Sequence, residues 1–65
     1  MKIGDTVYVL AKEDGTILGD GDGLVMSEVE LIVKNELALN DKYLGALNQC
    51  DMSEVTVETV ILTKV

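Results

Sequence analysis

Asp20 and Asp22 alternate with Gly19, Gly21 and Gly23, which strings oxygen donors along a bendable loop and suits a hard cation such as Ca²⁺. In an EF-hand frame with Gly23 at the sixth position, Leu18 and Val29 fall at the first and twelfth, where such a loop needs oxygen ligands. Neither side chain has one. The segment reads first as a solvated turn and second as a weak cation- or small-ligand-binding loop. Cys50 is the single thiol, and a nucleophilic thiolate needs a neighbouring base or positive charge. Its neighbour is Asp51, which works the other way, so Cys50 reads as a small buried apolar residue at a helix end. The twelve carboxylates form many pairs at spacings suited to general acid–base work, and that abundance makes no pair distinctive. With two tyrosines and no Trp or Phe, no aromatic platform accompanies them to hold a sugar.

The chain has no histidine, and its five basic residues are all lysine. Histidine is the commonest general base and metal ligand near neutral pH, and arginine is the usual planar clamp for phosphate. No catalytic, cofactor-binding or metal-ligating residue is therefore assigned, and the chain is expected not to be an enzyme. A formal charge of −7 argues against a nucleic-acid surface, which needs a basic stripe to displace counterions. It also disfavours docking on anionic membranes and favours a basic protein partner. Lys2 is followed by Ile3, Gly4 and Asp5 rather than by the apolar run of a signal peptide, and no stretch approaches membrane-spanning length. With a lone cysteine, the expected setting is the reducing cytoplasm.

The elements that would position these residues follow from periodicity. Residues 5 to 19 read as a β-hairpin: Thr6-Val7-Tyr8-Val9-Leu10 is rich in strand formers, Glu13-Asp14-Gly15 supplies the turn, and Thr16-Ile17-Leu18 returns. Gly15 is the residue expected to take the positive φ of that turn. The glycine-rich segment 19–23 then reads as a flexible connection. Over 28 to 49 the spacing of Val29, Ile32, Val33, Leu37, Leu44 and Leu47 predicts a helix, with a Ser27/Glu30 capping box at its start and a break near Asn40-Asp41. The alternation of Val29, Leu31 and Val33 with Glu28, Glu30 and Lys34 offers a second reading, a strand over 25 to 33 followed by a shorter helix. Residues 54 to 65 are dense in Val, Thr and Ile and predict a strand. The repeat of Met26-Ser27-Glu28-Val29 as Met52-Ser53-Glu54-Val55 stops at four residues and reads as coincidence. The opening Lys2-Ile3-Gly4-Asp5-Thr6-Val7-Tyr8-Val9 resembles the first strand of SH3-like barrel domains, which gives an alternative fold, a small SH3-like β-barrel with one short helix.

The expected architecture is thus one small α+β domain spanning 1–65. The N-terminal hairpin and the C-terminal strand form a small antiparallel sheet, and the central helical region covers one face. Strict alternation sets Val7, Val9 and Ala11 on one face of the first strand, with Tyr8 and Leu10 on the other. In the last strand it separates Val55, Val57, Ile61 and Val65 from Val60 and Leu62. Tyr8, Leu10, Val60 and Leu62 are read as the uncovered second face and hence as a protein interface. A chain of 65 residues buries only about 60% of its unfolded surface and lacks a disulfide or zinc set, so association is expected, as a homodimer through that face or through the last strand's edge. The function this implies is a small acidic protein-binding module, an inhibitor or regulator of a larger basic partner of the kind virus- and mobile-element-encoded proteins provide. A structural subunit forming a homo-oligomer and the Asp20/Asp22 cation loop are the alternatives.

Overall fold

The computed structural model describes residues 2–63. Strand β1 (Thr6–Ala11) is followed by a two-residue strand β2 (Met26–Ser27), helix α1 (Glu30–Asn48), a single 3₁₀ turn (Met52–Glu54) and strand β3 (Thr56–Ile61). The sheet is antiparallel with order β2-β1-β3, and α1 lies against one face. This is the expected small α+β architecture. β2 and β3 do not pair with each other, so the sheet stays open and the SH3-like barrel alternative is set aside.

The first turn forms as its residues dictate. Lys12 N–H donates to Thr16 O at 2.9 Å and Gly15 N–H to Lys12 O at 2.9 Å, with Gly15 at φ 89°. The returning arm is shorter than expected. It bonds β1 only through the Ala11–Ile17 bridge and Leu18 N–H to Leu10 O, after which the chain swings out and re-enters at β2, opposite Tyr8 and Val9. Residues 26–27 are therefore strand, as the second reading of that region held, while the helix claims everything from Glu30. The capping box does not form. Ser27 is held in the sheet by its pairing with Tyr8, and its Oγ accepts the Val29 N–H at 3.0 Å, leaving Val29 as an N-cap without a side-chain hydrogen bond. The two Met-Ser-Glu-Val copies fold differently, one entering β2 and the other a 3₁₀ turn, as coincidence implies.

Pairing of β1 with β3 sets Val7 opposite Val60, Val9 opposite Glu58 and Leu10 opposite Val57. Residues directly opposite share a face, so odd positions of β1 join even positions of β3. Towards the helix, Leu10, Leu18, Val25, Val33, Leu44 and Val55 form the main core, with Tyr8, Leu37, Cys50, Met52 and Val57 packed on it. On the far face Val7, Val9 and Ala11 are also buried, covered by Ile17, Met26, Val60 and Leu62. The expected grouping of Tyr8 and Leu10 with Val60 and Leu62 is corrected by this register: the first two face the helix and the last two face away. Alternation along each strand held, but it leaves the parity between strands free. The position expected for Val65 lies outside the described residues.

Helix α1 bends at Asn40, whose φ −120° and ψ 22° are non-helical, where a break was expected. Gly45 has a structural reason inside the helix: a Cβ there would meet Met52 Cγ at 3.1 Å and Cys50 O at 3.3 Å, so its absence lets the outgoing chain cross closely. The helix ends in a Schellman arrangement, with Cys50 N–H donating to Gly45 O at 3.1 Å and Gln49 N–H to Ala46 O at 3.4 Å. Gln49 occupies the left-handed position at φ 52°, ψ 46°, where an L side chain is strained and glycine is the usual occupant. Gln49→Gly should therefore raise the unfolding free energy by about 0.5–1 kcal/mol, read as a higher urea midpoint at an unchanged slope.

Candidate protein-binding surface

The acidic glycine segment is a tight loop seated on the helix. Gly19 and Leu24 form an antiparallel bridge, Asp20 N–H donates to Gly23 O at 2.9 Å, and Asp20 Oδ1 accepts the Asp22 N–H at 3.0 Å. The helix grips it at two places. Tyr43 O–H donates to Asp20 O at 2.8 Å, and Asn48 accepts from Gly19 N–H at 3.1 Å while donating to Gly19 O at 2.8 Å. Gly21, at φ 98°, has no room for a side chain, since a Cβ would stand 2.7 Å from Tyr43 Oη. What composition presents as a flexible connection is thus held by three side-chain hydrogen bonds from α1.

The Asp20 carboxylate is engaged within its own turn, and among the described residues no group of three or more His, Cys, Asp or Glu is placed to hold a metal ion. The same use recurs elsewhere. Asp5, Asp14 and Asp51 each accept a backbone N–H within three residues, from Lys2, Thr16 and Ser53. The Ser53 backbone N–H and then its hydroxyl hold the Asp51 carboxyl below the usual range. The Thr16 hydroxyl and backbone N–H do the same for Asp14. Four of the twelve carboxylates therefore close turns.

Seating the loop there completes an apolar surface on the helix. At about 100° per residue, Ile32, Leu39, Tyr43 and Leu47 fall in one stripe, while the buried Val33 and Leu44 and the partly buried Leu37 fall in another about 100° further round. The single stripe expected from spacing is thus two: Val33, Leu37 and Leu44 serve the core, while Ile32 and Leu47 belong to the solvent side. Leu39 is 82% exposed and Ile32 is 56% exposed. Leu24, from the loop, fills the angle between them and the helix end: it shares one shallow hollow with Ile32, Glu36 and Asp20, and a second with Leu47 and Asn48. Neither hollow is lined by a lysine, and Lys34, half a turn away, is paired with Glu30. The surface is apolar at its centre and bordered by Asp20 and Glu36 where it meets the loop, with Lys42 about 60° round the helix from Leu39.

The residues read from sequence as an interface are scattered by comparison. Leu10 is fully buried under α1, and Tyr8 packs beside it. Val60 and Leu62 are half-buried on the far face, where Val60 lines a hollow with Ala11, Ile17, Glu54 and Glu58. Sequence carried a signal for the helix surface that went unread: Ile32, Leu39, Tyr43 and Leu47 are more apolar side chains than one core-facing stripe requires. Compared with models of protein families, with curated proteins and with solved structures, the chain matches none.

Two outcomes test this site. Asn48→Ala strips Gly19 of both its partners and should cost about 1–3 kcal/mol, with faster amide exchange at Gly19. Asp51→Ala should lower the melting temperature above about pH 4 and leave it unchanged well below. A depressed carboxyl stabilises above its unfolded pKa, near 3.8, and that contribution vanishes as pH falls through the folded value.

Proposed function

We propose that this chain is a non-enzymatic protein-binding module, an inhibitor or regulator that presents Leu24, Ile32, Leu39, Tyr43 and Leu47 to a larger partner. The partner's surface is an apolar groove bordered by Lys and Arg. The observation that carries this reading is the second apolar stripe of α1, left open to solvent and extended by Leu24. Burying large apolar side chains supplies affinity, whereas the rim acids and the net charge of −7 steer a basic partner and set orientation. Presenting anchors from a helix into a groove is a common mode of recognition. The turn-closing roles of four aspartates and the absence of histidine favour binding over catalysis. The single cysteine fits a cytoplasmic setting, and among the described residues no helix is long and apolar enough to cross a membrane.

The test is affinity capture with the wild type and three lysine variants. Ile32→Lys and Leu39→Lys should each weaken capture of a stoichiometric partner by about tenfold or more, the size of losing one apolar anchor. Leu31→Lys makes the same charge change at an exposed position off the stripe and should leave capture intact. Raising salt should slow association of the wild type. Equal capture by all four proteins refutes the surface assignment.

A further inference from the structure

We propose that the free edge of β3 pairs antiparallel with β3 of a second copy of this chain, about a twofold axis through Thr59. Hydrogen bonds at both ends of the sheet fix which backbone groups are available. Leu62 donates its N–H to Asp5 O and accepts the Gly4 N–H, so its polar groups point inward, and Leu10 O turns the other way to accept the Leu18 N–H. Alternation from either end gives the same answer. Thr56, Glu58 and Val60 bond to β1, and the N–H and C=O of Val57, Thr59 and Ile61 point out from the sheet. Among the described residues no segment pairs with them.

An open row of this kind is a template for another strand, and monomeric proteins blunt it with lysine, proline, bulges or brevity. Thr56–Ile61 has no lysine, proline or glycine and runs as a continuous six-residue ladder. Its one charge, Glu58, lies on the far face and accepts a hydrogen bond from Thr56 Oγ1 at 2.8 Å.

The occupant follows from symmetry and charge. In an antiparallel pair opposite residues share a face, so the twofold must pass through a residue position. Two registers overlap the strand most fully. The one centred on Glu58 sets two carboxylates directly opposite, which is repulsive. The one centred on Thr59 sets Thr59 against its own copy, Glu58 against Val60, and Val57 against Ile61. It engages all three outward-facing residues in hydrogen-bonded pairs, two bonds per pair. It also covers Ile61, which is 64% exposed in the single chain. In this register the edge is complementary to itself in hydrogen bonding and keeps the two Glu58 carboxylates out of direct opposition, which makes an isologous dimer its natural occupant.

Sedimentation equilibrium of the full chain, with amide exchange read at each residue, tests this. The wild type should dimerise reversibly, and exchange at Val57, Thr59 and Ile61 should slow as concentration rises. Thr59→Pro removes an outward donor that the β1–β3 ladder does not use and should abolish dimerisation. Thr59→Glu, at an exposed position, leaves the backbone intact and sets like charges across the axis; it should weaken the dimer by about tenfold or more. The Glu variant decides the matter if the Pro variant does not fold. Ile32→Lys should dimerise like the wild type, which separates this edge from the helix surface. A wild type that is monomeric at about 1 mM, dimers that persist in the Glu variant, or exchange at these three amides that ignores concentration each overturns the proposal.

Discussion

The structure depends on β1 being a strand with a core on each side. Val7, Val9, Leu10 and Ala11 are all buried, which is possible only because β3 pairs along one edge and the divided arm of Leu18 and β2 along the other. Period-two geometry distributes the rest of the chain. Leu18, Val25 and Val57 follow Leu10 to the helix, while Ile17, Met26 and Val60 follow Val7 and Val9 to the far face. A small chain thereby gains apolar burial on both faces of its sheet with a single helix, the far face being closed by the side chains of flanking strands.

What could be read in the sequence was what local rules decide. The first turn with Gly15, the β-branched last strand, the helix and its break at Asn40 all follow from propensity and periodicity. Register did not. Both long strands carry apolar residues at odd and even positions, so either parity buries something, and the choice falls to contacts made elsewhere. β2 is two residues long, below anything alternation detects, and exists because the preceding loop returns the chain to β1. The capping box failed for the same reason, its serine having been drawn into the sheet. The helix surface was half legible: the surplus of apolar positions was present, but dividing them between core and solvent required knowing which side of α1 meets the sheet.

The distribution of charge supports a division of labour among the acids. Aspartates concentrate at turns, where a short carboxylate reaches a backbone N–H two or three residues away. Three of the six glutamates stand on the helix and strand, where Glu30 pairs with Lys34, Glu36 borders the apolar stripe and Glu58 lies beside Thr56, while Glu13, Glu28 and Glu54 lie at turns. The net charge thus combines local backbone closure with solubility and orientation, and is not one uniform acidic face.

The two edges of the sheet are unequal. β3 offers an unbroken row, whereas the opposite edge is divided where the chain departs after Leu18 and returns at Val25, leaving only β2 and a bridge. Filaments of stacked sheets need every subunit to carry two usable edges, one to receive and one to offer. A subunit with a single usable edge is a chain terminator: one pairing exhausts it, and the growing end presents an interrupted margin. The departure of the chain after Leu18 into the loop that α1 grips thus leaves no second continuous edge for open-ended stacking of a strand as rich in valine, threonine and isoleucine as β3.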